Sequence, residues 1–302
     1  MSSKILILGK GGQVGSALAA LLGDAALVAS IENVDFLSPD IAKQLSNFTA
    51  GHDVYAVINA AAYTQVDKAE GEGRQASARI NAEAVGELAS WCASKTMPLV
   101  HYSTDYVFDG SGDVPRTEDV RPAPLNQYGK DKLAGEVAII ASGCKHLIFR
   151  TSWVYDAYGV NFFNTMLRLF RERESLNIVS DQIGAPTYAP HLAKATMDAL
   201  SAALAMPQFP SGIYHLCGAG ETNWHEFAQT ILKYAQHHES AILCNAVYPI
   251  PSSSYPTPAK RPLNSRLDCN KAKKVFGMSL PDWHEGLAAC IKEKYGHKAL
   301  RH

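Results

Sequence analysis

The sequence predicts an α/β protein, a doubly wound parallel sheet with a smaller α/β domain attached. Three observations predict it. Short apolar runs alternate with helical stretches through the first half of the chain. The first apolar run passes into a glycine-spaced loop that opens a helix. The second half is less regular, as a separate smaller unit would be. At 302 residues the chain suits one large domain or two fused ones.

Residues 5–8 are all apolar and read as a strand buried on both faces. Residues 13–22 read as a helix with Val14, Leu18, Leu21 and Leu22 on one face. Strands follow at 26–29 and 55–59, the latter running into Ala60-Ala61-Ala62. A long helix is predicted at 76–94, a strand at 99–103, a helix at 128–141 and a strand at 146–150. Repeated β-α units imply parallel pairing with helices on both faces. Beyond them, helices are predicted at 164–174 and 191–204, with a returning strand at 212–216. Residues 249–262 hold Pro251, Pro256, Pro258 and Pro262. Because they also hold Tyr255, Lys260 and Arg261, they read as an ordered extended loop rather than a linker.

Composition narrows the function. Apolar residues make up 47% and charged residues 19%, enough for a substantial core. The net charge of −1 argues against nucleic acid or an anionic membrane as partner. Cys92, Cys144, Cys217, Cys244, Cys269 and Cys290 form no C-x-x-C pair and read as buried free thiols. The first apolar run, residues 5–8, is too short for a signal peptide's apolar region, so none is expected, and no later run approaches a membrane span. A cytoplasmic protein is expected. The 11 histidines form no ligand-like cluster, so no metal site is expected.

Gly9, Gly12 and Gly15 are spaced three apart between a strand and a helix. A tight turn and a close approach to a pyrophosphate both exclude a Cβ, and a helix N-terminus offers free N–H groups. The bland alternative is a glycine-rich turn without a ligand. Its place after the first strand favours a dinucleotide, with Lys10, Gln13 and Val14 in contact. Glu32, at the end of the second strand, would hold a ribose 2′-hydroxyl and favour NADH. Lys10 would meet a 2′-phosphate and favour NADPH. Both remain open. Asp35 and Phe36 follow Glu32 as further candidates. Ala60, Ala61, Ala62 and Thr64 would line the cofactor cleft or simply pack strand against helix.

Tyr128 and Lys132 lie one helical turn apart, so both project to one side. A phenol of pKa about 10 exchanges protons poorly near neutrality, and a neighbouring ammonium lowers that value. The spacing alone is what composition produces by chance. Its weight comes from its place, one strand after Ser103-Thr104. Thr104 ends a strand at the sheet's carboxyl edge, where its hydroxyl would donate to a carbonyl oxygen or merely cap the strand.

These residues resemble the extended short-chain dehydrogenase/reductases, a family of Rossmann type. Within it the chain resembles the dTDP-4-dehydrorhamnose reductases. The match is carried by Gly9-Lys10 with Gly12-Gln13-Val14-Gly15, by Asn59 to Thr64, and by Val66 to Glu70. It continues through Ser103-Thr104-Asp105-Tyr106-Val107-Phe108, Tyr128 to Lys132, and Arg150 to Tyr155. It ends with Asp181-Gln182, Gly184 to Thr187, and Tyr255 to Pro262. The resemblance implies reduction, by NADPH or NADH, of the C4 keto group of dTDP-6-deoxy-L-lyxo-4-hexulose to dTDP-L-rhamnose for surface polysaccharide. Tyr128 would donate the proton, Lys132 would tune it and hold the ribose, and Thr104 would meet the carbonyl. Thr104, Asp105, Val107, Trp153, Lys260 and Arg261 would contact the substrate. Residues 1–152, with a return segment near 176–218, would bind the dinucleotide. Residues 153–175 and 219–302 would bind the sugar nucleotide.

Some family members are dimers linked by magnesium through glutamates. Ala17 and Pro190 stand at the corresponding positions, which argues against the metal-bridged dimer; a monomer or a differently built homodimer is expected, and a role for magnesium is left open. A 4,6-dehydratase would carry glutamate after Asp105, where this chain has Tyr106. An epimerase would use the same parts. A regulatory subunit like that of methionine adenosyltransferase would have no need of Thr104, Tyr128 and Lys132 together.

Overall fold

The computed structural model describes residues 3–296. The domain ranges expected from the sequence extend past them at both ends, to 1–2 and 297–302. The first half runs β1 (Lys4–Leu8), α1 (Gln13–Leu22), β2 (Ala26–Ala29), α2 (Ile41–Thr49), β3 (Val54–Asn59), α3 (Val66–Ala69), α4 (Arg74–Ala78), α5 (Ala84–Ser94), β4 (Leu99–Thr104), α6 (Gln127–Ala141) and β5 (His146–Thr151). The second half runs β6 (Val154–Tyr155), α7 (Phe162–Glu172), β7 (Ser175–Val179), β8 (Ile183–Gly184), β9 (Thr187–Tyr188), α8 (Ala189–Ala205), β10 (Gly212–His215), β11 (Thr222–Asn223), α9 (Trp224–His238), β12 (Ala246–Ile250), α10 (Asn270–Phe276) and α11 (Trp283–Gly296).

The central sheet has six parallel strands in the order β10-β5-β4-β3-β1-β2. The apolar runs are explained by its two covered faces. Ile5, Ile7, Ala56, Ile58, Val100 and Phe149 enter one core, with α1, α8 and α10. Leu6, Leu8, Val57, Leu99 and Ile148 enter the other, with α2 and α5. Alternation is present, but both phases are apolar, so the sequence shows a continuous run. A third core gathers Tyr155, α7, Leu176, α9, Val247 and α11. The two-strand sheet β7–β12 flanks it.

Two differences from the expected elements have physical causes. The helix expected at 76–94 begins at Arg74 and passes through a widened π turn at Arg79–Glu83. Buried Asn81 lies in that turn. Its side chain accepts from the Tyr63 N–H and donates to the Tyr63 carbonyl, both at 3.0 Å, and so holds the loop after β3. The proline-rich stretch starts as strand β12, which includes Pro249. An edge strand tolerates the missing donor.

Sheet order reverses at β1, which has β2 on one side and β3 on the other. The loops leaving β1 and β3 therefore face each other across the crevice where such folds bind ligands. They also touch. Gly9 has φ +97°, and a Cβ there would stand 2.6 Å from the Ala60 carbonyl carbon. A Cβ on Gly15 would stand 2.1 Å from the Gly9 carbonyl oxygen. Both glycines are required by backbone packing. Gly15→Ala is expected to destabilise the fold by about 1–3 kcal/mol through this overlap, read as a lowered Tm in thermal unfolding.

Candidate active site

A cavity of about 1180 Å³ opens at the carboxyl edge of the sheet. Gly12, Gln13, Val14, Ala60, Ala62 and Thr64 line one part of it. Thr104, Asp105, Tyr128, Lys132 and Trp153 line another. Eleven of the candidate residues, from five separate stretches of chain, thus share one space.

The other candidates lie elsewhere. Gly9 and Gly15 form the turn beneath the cavity, and half-buried Ala61 donates its N–H to Asn59. Lys10 is exposed beside the end of β2, and Glu32 is exposed in the turn beyond it. The Asp35 carboxylate accepts from the Leu37 N–H at 2.9 Å. Phe36 and Val107 are buried, Phe36 in the core over α2 and α5. Their side chains serve packing, so any ligand contact from them is through the backbone. Lys260 and Arg261 line a separate hollow of about 320 Å³ with Tyr255 and Gln182.

The glycine loop suits a dinucleotide on its own geometry. A Cβ on Gly11 would meet nothing within 4 Å, and Gly12 and Gln13 line the cavity. Gly12 is the N-cap of α1, no side chain caps that helix, and its first turn holds no acidic residue. Its free N–H groups and dipole end are available to a pyrophosphate.

Thr104 does two jobs at the end of β4. Its hydroxyl accepts from the Tyr106 N–H at 3.1 Å, capping the short turn Asp105–Val107, and donates to Asp105 Oδ1 at 3.0 Å. Burial pushes the Asp105 carboxyl up to about 6. Asn126 starts α6 by accepting from the Gly129 N–H at 2.8 Å, which sets Tyr128 in the first turn. The Tyr128 ring meets Tyr106 edge-on, with centroids 5.8 Å apart. Burial, then the charge of Asp105, raise the Tyr128 phenol above its ordinary value, against a hydrogen bond from Thr104.

That result differs from the expected lowering by an adjacent ammonium. Lys132 is 1% exposed and points into β4. Its Nζ donates to the Tyr102 carbonyl at 2.6 Å and lies 3.1 Å from His101 Nε2. Burial lowers it to about 8, opposed by Glu136. The contacts of the lysine amine are therefore with the sheet, at Tyr102 and His101.

Behind Thr104 runs a second buried seam. Arg150 Nε and Nη2 donate to the two Glu136 oxygens at 2.9 and 2.6 Å, and Ser103 donates to Glu136 at 2.5 Å. Ser103 is therefore a support for α6.

Trp153 has φ +49°, unusual for a bulky residue. Its ring stacks on Trp224 with centroids 3.8 Å apart and planes at 17°. Its carbonyl accepts from the Thr187 N–H at 3.1 Å. Trp224 lines the cavity too and was not among the candidates. Its signal was Asn223 followed by Glu226, a helix start with the aromatic just inside it. Arg261 is paired with Asp67, Nη2 to Oδ2 at 2.7 Å. The Lys260 carbonyl accepts from Asn126 at 2.8 Å. The proline-rich loop is thereby fastened to both α3 and the start of α6.

All six cysteines are free and five are buried, while Cys269 is partly exposed 3.6 Å from Cys217. Among the described residues no group of three or more His, Cys, Asp or Glu is placed to hold a metal ion. Likewise, no described helix is long and apolar enough to cross a membrane.

Arg150→Met is expected to cost about 3–5 kcal/mol of stability, because it strands a buried Glu136 charge. Combining it with Glu136→Leu should recover most of that loss. Chemical denaturation of the three variants measures both effects.

Residues 3–295 match the family described as RmlD substrate binding domain. The dTDP-4-dehydrorhamnose reductase of Burkholderia thailandensis is 44% identical over 298 residues, covering 96% of this chain and 98% of that protein. The enzyme of the same name from Escherichia coli K12 is 42% identical over 302 residues, covering 98% and 99%. A crystal structure of dTDP-4-dehydrorhamnose reductase from Bacillus anthracis in complex with NADP superposes with a TM-score of 0.87. It is 32% identical and covers 97% of this chain and all of that one. With a family match over residues 3–295 that takes in the glycine loop and the Thr104–Tyr128–Lys132 cavity, the chain belongs to the RmlD substrate binding domain family.

Proposed function

We infer that this chain is an NADPH-dependent dTDP-4-dehydrorhamnose reductase, converting the C4 keto group of dTDP-4-dehydro-L-rhamnose to the alcohol of dTDP-L-rhamnose. The observation that carries the reading is the meeting of Thr104, Tyr128 and Lys132 in the same cavity that the glycine loop lines. The near-full-length relatives that bear this enzyme's name support it.

When bound, the nicotinamide supplies the hydride. The chain's own residues handle the oxygen and the proton. Tyr128 is the acid. Its raised pKa keeps the phenol protonated at neutral pH, ready to give its proton to the oxygen that gains charge. Thr104 steadies the same oxygen by turning its hydroxyl from Asp105 to the substrate, at no cost to the Tyr106 cap, where it is acceptor. Lys132 as ammonium stabilises the phenolate left behind and holds the cofactor ribose. Trp153, braced by Trp224, is a flat wall for the sugar. Lys260 and Arg261 mark the side on which the nucleotide diphosphate lies. Lys10, exposed and with its backbone N–H on the Ala29 carbonyl at the end of β2, suits a 2′-phosphate. Elimination has no second acid here, because Tyr106 follows Asp105. A dinucleotide-binding unit of residues 1–152 with the return segment near 176–218, a sugar-nucleotide-binding unit of residues 153–175 and 219–302, and a cytoplasmic setting with free thiols complete the reading.

The direct test follows nicotinamide absorbance with the dTDP-4-keto sugar. Stoichiometric oxidation of NADPH and formation of the rhamnosyl nucleotide are expected; no oxidation by folded, cofactor-binding protein would sink the reading. Tyr128→Phe should lower kcat by roughly 10²–10⁴-fold with unchanged NADPH affinity. Thr104→Val should lower kcat by about 10²-fold, with KM little altered. Steady-state kinetics and fluorescence titration of NADPH separate the two quantities.

A further inference from the structure

Among the buried titratable groups that this mechanism leaves unused, His101 lies against the catalytic lysine. His101, in the middle of β4, is fully buried between Lys132 and Asn59. Its Nε2 lies 3.1 Å from Lys132 Nζ, and its Nδ1 lies 3.1 Å from Asn59 Nδ2. Asn59 ends β3 and is also fully buried. Its amide has one workable orientation. Oδ1 accepts from the Ala61 N–H at 3.1 Å, and turning the amide over would set two donors against each other.

The consequence runs along the chain of contacts. Asn59 Nδ2 donates to His101 Nδ1, so a neutral imidazole carries its proton on Nε2. That N–H points at Lys132. Nζ already donates to the Tyr102 carbonyl. A neutral amine can take the His101 proton on its lone pair, whereas an ammonium has no lone pair and places two N–H groups face to face.

We propose that Asn59 and His101 are a positioning pair for Lys132: Asn59 selects the imidazole tautomer, and the His101 Nε2–H favours the amine over the ammonium. The pair acts through Lys132 and touches no reacting atom. Its kinetic consequence rests on the reductase reading, while its geometry does not.

The titratable groups around Lys132 are few. His101 faces it from β4, Tyr128 precedes it by one turn of α6, and Glu136 follows by one turn. Glu136 favours the ammonium but is bound to Arg150, and burial opposes it. Burial, then the charge of Lys132, hold His101 well below its usual range, hence neutral. The lysine's value of about 8 places its loss of charge just above neutrality. Below that pH the ammonium supports the Tyr128 phenolate; above it the support is lost. An alkaline fall in kcat/KM follows.

Two measurements test the pair. Imidazole nitrogen NMR of the full chain, with and without NADPH, reads the tautomer directly. Neutral His101 protonated on Nε2 is expected from about pH 6 to 9; an Nδ1–H tautomer or an imidazolium would overturn the proposal. The second compares kcat/KM against pH for the native protein, Asn59→Asp and His101→Gln. In Asn59→Asp the carboxylate still accepts from Ala61 but also accepts from His101 Nδ1–H, leaving Nε2 to accept from an ammonium. His101→Gln offers Lys132 a carbonyl. Both should move the alkaline limb up by about one pH unit. A limb unmoved in either folded variant overturns the proposal. If neither variant folds, the tautomer measurement decides. A native protein with no turnover would defeat the reductase reading and leave the tautomer result standing.

Discussion

The buried polar seam between α6 and strands β4 and β5 is the contact on which the site depends. One basic and one acidic side chain a turn apart, Lys132 and Glu136, enter the sheet from the same helix. Lys132 reaches the Tyr102 carbonyl and His101, while Glu136 takes Arg150 and Ser103. Such groups are costly to bury unless each partner is in place, so the seam allows one seating of the helix. That seating puts Tyr128 in the first turn of α6 across from Thr104 at the end of β4. The seam contributes little net stability compared with an apolar interface of equal size. What it supplies is position.

The same logic holds on the far side of the cavity. The proline-rich loop has little apolar surface to bury and is held by single polar contacts: Arg261 to Asp67, and Asn126 to the Lys260 carbonyl. The ion pair is partly exposed and worth at most about 1 kcal/mol. Its role is to bring a loop from the end of the chain to α3 and α6. Asn126 caps the helix with one side-chain atom and holds the loop with the other. Helix start and loop position are therefore coupled through a single residue.

Trp153 shows where the fold accepts strain. A left-handed backbone costs a bulky residue roughly 1–3 kcal/mol. Stacking on Trp224, contact with Gly184 and the hydrogen bond from Thr187 offset it. The turn delivers a large flat ring to the cavity wall at the point where the chain leaves the parallel sheet. The rings touch across 71 residues of sequence, which no local pattern displays.

Local physics made much of this molecule legible in the chain alone. Runs such as residues 5–8 had to be strands covered on both faces. Gly9, Gly12 and Gly15 had the spacing of a tight strand-to-helix turn, and Tyr128 with Lys132 had to share one helix face. Each follows from spacing and sterics within a few residues. Tertiary structure alone decided what those side chains meet. Lys132 turns to His101 rather than to the phenol, Thr104 caps a turn as well as facing the cavity, Phe36 joins the core, and Arg261 pairs with Asp67. These outcomes depend on which buried donors find acceptors once distant strands and helices are packed, and that balance does not exist until the sheet has formed.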